Sequence, residues 1–256
     1  MSSHRSRHLG APLVPWLFVW VVAALGASPA LAQTPTPVRF GIVDNSFLVE
    51  EAFNQEAGVV QHIFTVQRVE HRHWAMSFTQ EWPVGSVRQQ LSATVPWSLI
   101  DGDAAWGDAL INYRVQLFSE GPRRAAMSPR VSLVIPTSRD STDVGMQLSL
   151  PVSKRLGGAY VHGNAGVTLR RRSGTEPFLG ASVIGALTPL LNVMLEGVVH
   201  WSGEAGAPSR AEQTLSPGMR AGWNLPAGQL VLGVAVPVTF AERRTTSIFG
   251  YVSFER

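Results

Sequence analysis

The stretch RHWAMSFTQEWPV, residues 72–84, decides the fold. Its large apolar side chains, Trp74, Met76, Phe78 and Trp82, fill all but one of the alternate positions, and smaller or polar residues lie between them. A period of two is typical of a β-strand with one apolar and one polar face. Either a protein core or the hydrocarbon of a bilayer could cover the apolar face, so the rest of the chain must decide between them.

The first residues of the chain have the three parts of an export signal. Arg5 and Arg7 give a positively charged start, the apolar run 13–25 follows, and residues 30–32 are the small residues of a cleavage site. An apolar run of about 13 residues is shorter than the roughly 20 that a membrane-spanning helix needs. We therefore predict that residues 1–32 are a cleaved signal peptide; the alternative is an uncleaved anchor.

The composition favours a membrane barrel over a soluble domain. Charged residues make up 15% of the chain, Lys154 is its one lysine and it has no cysteine, whereas ordinary soluble domains are about 25% charged. An exported chain without cysteine has no disulfide framework. Loss of the two signal arginines would lower the formal net charge from +3 to +1, which gives no electrostatic basis for binding nucleic acid.

The alternating pattern returns from Val59 to the C-terminus, in runs of about ten to twelve residues separated by turn clusters. The turns alternate between compact ones, such as 83–85 and 226–228, and longer or more polar ones, such as 98–105 and 203–213. Short turns at one rim, longer loops at the other and an even number of strands are typical of bacterial outer-membrane barrels. A closed barrel also pairs every backbone donor and acceptor within the protein, as lipid requires.

We therefore predict an all-β fold, a transmembrane antiparallel up-and-down β-barrel of about 12 strands over residues 58–256. A soluble exported β-sandwich is the alternative fold. Pro129 and Pro217 lie within predicted strands, where a missing N–H interrupts the ladder. We expect β-bulges or late strand starts at these two prolines.

The period changes before the first predicted strand, in residues 33–57. A short extended linker precedes DNSFLVEEAFNQEAG, in which Asn45 or Ser46 would cap a short N-terminal helix and Gly58 would follow its end. Two interpretations stay open: the helix plugs the periplasmic mouth of the barrel, or it covers the rim from outside. The residues of this candidate plug are Phe47, Leu48, Glu50 and Glu51.

If the bulky faces of the strands contact lipid, their polar faces line the lumen. The candidate lumen residues are Glu81, Arg88, Asp108, Asn112, Arg114, Arg130, Glu196 and Arg220. Charges of both signs can fill a small barrel with ion-pair networks or line a narrow polar path. A barrel of about 12 strands lies between the filled eight-stranded and the open sixteen-stranded types, so both interpretations stay open.

Four stretches of the chain resemble a known family. They are NSFLVEEAFNQEAGVVQH (45–62), WGDALINYRVQL (106–117), PRVSLVIPT (129–137) and LPVSKRL (150–156). They resemble the transporter-like outer-membrane proteins grouped under the meta-pathway of phenol degradation, and the resemblance covers most of the mature chain. It implies an outer-membrane barrel that assists uptake of hydrophobic or aromatic compounds. The chain departs from the usual barrel ending, because Glu255 and Arg256 follow the last aromatic residue.

These observations together predict a passive transporter or channel in the outer membrane of a Gram-negative cell. The expected partners are outer-membrane lipid and lipopolysaccharide, the barrel assembly machinery and small hydrophobic solutes, without nucleic acid. We predict no enzymatic activity, cofactor or metal site, because the sequence has no Gly-x-Ser-x-Gly elbow and no histidine pair with ligand spacing on one strand. A non-conducting structural or interaction barrel is the alternative, followed by an outer-membrane enzyme.

Overall fold

A computed structural model of the chain describes residues 41–42, 46–139, 141–171, 174–202 and 209–256. The predicted signal peptide, the start of the predicted linker and the candidate cap Asn45 lie outside the described residues. Within the described ranges, no helix is long and apolar enough to cross a membrane.

Sixteen strand segments make up the described sheet. They are β1 (Gln61–Glu70), β2 (His73–Val84), β3 (Ser86–Ile100), β4 (Asp103–Trp106), β5 (Ala109–Val115), β6 (Ala126–Met127), β7 (Arg130–Ile135), β8 (Gly145–Leu156), β9 (Ala159–Arg170), β10 (Gly174–Thr188), β11 (Leu191–Ser202), β12 (Arg210–Leu225), β13 (Gly228–Ala235), β14 (Val238–Phe240), β15 (Arg244–Thr246) and β16 (Ile248–Glu255). All pairings are antiparallel. The first segment pairs with the last, and β11 pairs with β12 to close the sheet.

The segments form a closed barrel of 12 strands. Four barrel strands consist of two segments each, namely β4 with β5, β6 with β7, β13 with β14, and β15 with β16. The predicted antiparallel barrel of about 12 strands is confirmed. The predicted N-terminal helix is wrong, since residues 46–58 contain bends and a turn but no helix; its backbone groups bind the barrel wall instead, as shown below.

Each break within a barrel strand faces a proline in the neighbouring strand. The bonds at the breaks are Gly107 N to Pro96 O (2.9 Å), Ser128 N to Pro151 O (3.1 Å), Val236 N to Pro217 O (3.0 Å) and Ser247 N to Pro237 O (2.9 Å). A proline accepts through its carbonyl but cannot donate, so the paired bonds of an antiparallel ladder cannot form there. The missing donor therefore interrupts the partner strand.

The sheet accommodates Pro129 and Pro217, the two prolines that lie within predicted strands, in different ways. Pro129 falls in the break between β6 and β7, as expected. Pro217 lies inside β12, which runs unbroken from Arg210 to Leu225, and the break is in the neighbouring strand between β13 and β14. The expected irregularity at Pro217 is thus displaced to its partner strand.

The two rims of the barrel differ in their connections. At one rim, here called the termini rim, β1 begins and β16 ends, and the turns at 157–158, 189–190 and 226–227 are short. The other rim, the loop rim, carries the connection 136–144. The predicted turn region 98–105 is mostly strand, because β3 and β4 are joined by Asp101 and Gly102 alone, with φ of 54° and 98°. Positive φ at both positions is typical of a tight type I′ hairpin turn.

The strand of the opening stretch, β2, presents its apolar side chains to the outside of the barrel. Trp74 and Phe78 keep 38% and 39% of their surface exposed. On the opposite face, Thr79 Oγ1 lies 2.9 Å from Thr94 Oγ1 and Glu81 is buried. Apolar side chains outside and polar ones inside are the pattern of a barrel surrounded by lipid.

The interior of the barrel has two chemically different walls. The apolar wall consists of Ile63, Ile184, Met194, Val231, Ala235, Phe249 and Tyr251. The polar wall consists of Gln90, Ser92, Asn112, Arg114, Arg130, Ser153, His162 and Asn164. The described residues before β1 lie between these walls.

Candidate functional site

Residues 46–55, here called the inner segment, run through the interior of the barrel. Val49 and Ala52 are 1% and 0% exposed. At its start, Ser46 Oγ lies 2.9 Å from Ser182 Oγ of β10. Farther along, the Gln55 N–H donates to Gln90 Oε1 of β3 at 2.8 Å. The inner segment therefore crosses the lumen from one side of the barrel to the other.

Wall side chains accept hydrogen bonds from the backbone of the inner segment. Glu196 Oε1 accepts from the N–H groups of Leu48 (2.8 Å) and Val49 (3.1 Å). The Ala52 N–H donates to Ser153 Oγ at 2.8 Å. Buried backbone donors must find partners, and here the wall supplies the acceptors that a helix would supply from its own carbonyls. This explains why the capping pattern of the sequence does not lead to a helix.

Arg114 is the main anchor of the inner segment. Its side chain is 3% exposed. It donates to Asn54 Oδ1 at 3.0 Å, to the carbonyl of Glu51 at 2.9 Å and to the carbonyl of Phe53 at 2.5 Å. A guanidinium has five donors in a fixed plane, so one side chain can hold several backbone groups at once.

The two carboxylates at the centre of the inner segment face the polar wall. Glu50 Oε1 lies 3.0 Å from Arg130 Nη1 and 3.4 Å from Arg114 Nη1. Glu51 Oε1 lies 3.6 Å from His162 Nε2. The negative charge of Glu50 thus lies beside two arginines of the polar wall.

Phe47 of the inner segment packs on the apolar wall. Its ring centroid is 5.0 Å from that of Tyr251 and 5.5 Å from that of Phe249. The ring also lies against two glycines, since a Cβ on Gly233 would be 2.3 Å from Phe47 Cζ and one on Gly218 would be 3.1 Å from Phe47 Cε2. Missing side chains in the wall therefore form a socket for this ring.

We expect Gly233→Ala to loosen the inner segment, because the added methyl group overlaps the Phe47 ring. Overpacking of this kind costs about 1–3 kcal/mol. Hydrogen exchange of the amides of residues 46–55 should accelerate, and Phe47→Ala in the same chain should restore protection. Gly185→Ala is the matched control, since the nearest atom to its Cβ would be 3.8 Å away. Unchanged exchange in Gly233→Ala would rule out the socket.

A cavity of about 340 Å³ lies beside the inner segment. Its lining combines hydroxyl groups, polar groups and aromatic rings. From the barrel wall, the hydroxyl groups belong to Thr65, Ser77, Thr79, Ser92 and Thr94, the larger polar groups to Glu81, Asn112, Arg130, Gln147 and Asn164, and the rings to Phe178, His200 and Tyr251. Residues 46–50 of the inner segment complete the lining. The space suits a small molecule that has both an aromatic and a polar part.

The structure gathers five of the eight candidate lumen residues around the inner segment and the cavity. Glu81, Asn112 and Arg130 line the cavity. Arg114 and Glu196 bind the inner segment. The candidate plug residues are there as well, with Phe47 on the apolar wall and Leu48, Glu50 and Glu51 bound as described above.

Of the other three candidate lumen residues, Arg220 lies in the interior, close enough to Glu196 for its charge to act on that carboxyl group, whereas Asp108 and Arg88 lie elsewhere. Arg220 is buried, and its Nε donates to Asn192 Oδ1 at 3.2 Å. Asp108 pairs with Arg170 at 2.7 Å, at a break in the strand wall. Arg88 is exposed at the termini rim, where it donates to the carbonyls of residues 116 and 117.

Some wall residues that hold the inner segment are absent from the candidates, among them Gln90 and Ser153. Both lie on the polar face of a strand with alternating pattern, which identifies them as inward facing. Their hydrogen bonds to the inner segment depend on the register of strands 35 and 101 residues away in the chain, and no local pattern of the sequence records that register.

Similarity to known proteins lies in the fold. No family model matches the chain, and neither does any curated protein. Among solved structures, an outer membrane channel from Pseudomonas putida F1 is similar with a TM-score of 0.62 and 11% identity, over 84% of this chain and 99% of that one. The KdgM porin in complex with disordered oligogalacturonate is similar with a TM-score of 0.51 and 9% identity, over 77% of this chain and 98% of that one. This protein has the fold of outer-membrane channel and porin barrels.

Proposed function

We propose that this protein is a passive outer-membrane channel for small solutes, and that the inner segment closes its lumen. The observation that carries the proposal is the inner segment itself, which crosses the interior and is held by both walls. The similar folds of a channel and a porin support conduction over enzymatic activity. The apolar outer face supports placement in a membrane, where its partners would be outer-membrane lipid and lipopolysaccharide.

For the solute, we propose small aromatic compounds that carry a polar group. The resemblance to the meta-pathway family points to hydrophobic or aromatic compounds, and the rings of Phe178 and Tyr251 beside the cavity fit an aromatic ring. A pure hydrocarbon would cover Arg130 and Asn112 without binding them, and buried polar groups left unpaired cost about 1–3 kcal/mol each. A polar substituent on the solute removes that cost.

The test is the conductance of the protein in planar bilayers, with and without residues 33–57. We expect the deletion to raise single-channel conductance several-fold, because the polar wall then borders an open path. The barrel strands start at Gln61, so the shortened chain should still show the heat-dependent gel mobility of a folded barrel. If the folded deletion variant passes neither ions nor aromatic solutes, the protein is a non-conducting barrel and the proposal fails.

A further inference from the structure

We infer that Arg130 forms a binding site for the carboxylate of a small aromatic acid, and that Glu50 of the inner segment occupies this site as a resident competitor. The inference rests on the proposed channel function and specifies the class of solute. It also assigns the solute a role, which is to displace the Glu50 side chain and so loosen the segment that closes the lumen.

Arg130 has the geometry of a carboxylate receptor. Its Nη1 binds Glu50 Oε1 at 3.0 Å and its Nη2 donates to Gln147 Oε1 at 2.5 Å. Its Nε is buried and has no hydrogen-bond partner among the described residues. Guanidinium groups bind carboxylates through two parallel N–H donors. The contacts of Glu50 with Arg130 and Arg114 both use the single oxygen Oε1, so the guanidinium can bind a better-placed carboxylate.

Unpaired polar atoms surround Arg130. Asn112 is 4% exposed and lines the cavity, and its Oδ1 has no partner within the described ranges. The same holds for the hydroxyl groups of Ser132, directly across from Asn112, and Ser149, directly across from Arg130. Folded proteins leave few buried polar groups unpaired. Two of these residues, Asn112 and Arg130, line the cavity. The Arg130 Nε can donate to a carboxylate, whereas Asn112 Oδ1 can only accept and therefore suits a hydroxyl group on the ring of the acid.

The Glu50 carboxylate can leave this site without a shift of its backbone. Asn164 holds the backbone from both sides, since its Oδ1 accepts from the Glu50 N–H and its Nδ2 donates to the Glu50 carbonyl, each at 2.7 Å. The Glu50 side chain is 20% exposed. A solute carboxylate that replaces it keeps the buried guanidinium groups neutralised, which avoids the cost of an unpaired buried charge.

Once the solute is bound, two carboxylates compete for one pair of arginines. The solute therefore binds better to the state in which the Glu50 side chain has left the two arginines, so that the inner segment has lost these two ion pairs. A ligand with such a preference shifts the population toward the released state. The aromatic rings of Phe178 and Tyr251 border the same cavity, and would contact the ring of the acid.

Calorimetric titration of the folded full-length protein in detergent tests the site, with benzoate as the acid and benzyl alcohol as its neutral counterpart. We expect benzoate to bind at least about tenfold more tightly than benzyl alcohol, as one charge-assisted hydrogen bond allows. Glu50→Gln should tighten benzoate binding by about tenfold, because the competing carboxylate is gone. The control Glu56→Gln, at an exposed position outside the inner segment, should leave the affinity unchanged.

Arg130→Gln should weaken benzoate binding by tenfold or more. If this variant does not fold, the benzoate affinity of Glu50→Gln still tests the site. Equal binding of the two probes, or weaker benzoate binding in Glu50→Gln, would overturn the inference. Because calorimetry needs no conduction, the two proposals fail separately. If the deletion variant conducts but the full-length protein does not prefer benzoate, the channel proposal stands and the carboxylate site is rejected. If the full-length protein prefers benzoate but the deletion variant does not conduct, the carboxylate site stands and the channel proposal is rejected.

Discussion

Phe78→Arg should prevent most of the protein from reaching its folded, membrane-inserted form, whereas Thr79→Arg should assemble. Phe78 is near the middle of β2 and faces outward, 39% exposed, between Phe64 and Val95 of the adjacent strands. Thr79, the next residue, faces the lumen. Arginine on the lipid face near the bilayer midplane costs about 2–4 kcal/mol, while arginine in the lumen keeps its contact with water and polar groups.

The measurement is the fraction of each variant that shows heat-dependent gel mobility after refolding into lipid vesicles, followed by denaturant titration of the folded part. The two variants carry the same new side chain at adjacent positions, so each is the control of the other. A larger loss for Thr79→Arg than for Phe78→Arg would mean that the apolar face of β2 points inward.

The second large effect is expected for Arg114→Met, which should open the channel almost as fully as deletion of residues 33–57. The substitution removes the donors to the carbonyls of Glu51 and Phe53 and one cation beside Glu50. Loss of one partner from a buried charged network costs about 3–5 kcal/mol, so the substitution should weaken the binding of the inner segment to the wall. Single-channel conductance should rise, and the matched variant Arg88→Met, at the exposed rim, should conduct like the unaltered protein.

A designed disulfide can reverse this effect. Ser46 Oγ and Ser182 Oγ lie 2.9 Å apart, so a cysteine pair at these positions is close enough for the 2.05 Å bond of a disulfide after small rotations. The chain has no other cysteine, so the pair forms without competitors. In Arg114→Met, oxidation of Ser46→Cys with Ser182→Cys should lower the conductance again, and dithiothreitol should raise it. If the conductance is the same with the cysteine pair oxidised and reduced, the inner segment does not close the lumen.

The barrel could be predicted from the sequence because its determinants are local. In β2 the alternation of Trp74, Met76 and Phe78 with Ala75 and Ser77 records directly which side chains face outward. Repeated along the chain, this pattern fixes the number of strands. Prolines inside strands were less predictable, because the break caused by Pro217 falls in the neighbouring strand, which the sequence around Pro217 does not describe.

The inner segment contains the four residues of the candidate plug, but the helix predicted for them is wrong. Glu50 and Glu51 in the opening turns and Gly58 after the end are ordinary helix signals. Those signals predict a helix where the backbone N–H and C=O groups of a segment must find their hydrogen-bond partners within the segment. Here the acceptors come from Asn164, 114 positions away, and from Glu196, 148 positions from Leu48. Contacts of such sequence separation leave no trace in a short window of residues.

Many of the hydrogen bonds that hold the inner segment in the barrel do not involve the side chains with which the segment lines the cavity. Glu196, Asn164, Ser153 and Gln90 bind main-chain atoms, which every amino acid except proline presents in the same form. The side chains of residues 47–50, by contrast, help to line the cavity. An exchange at Leu48 would therefore change the lining of the cavity while the main-chain hydrogen bonds to the wall remain. In the proposed channel, side chains of the barrel wall would thus hold the backbone of the segment, and side chains of the segment would help to determine which solutes the cavity accepts.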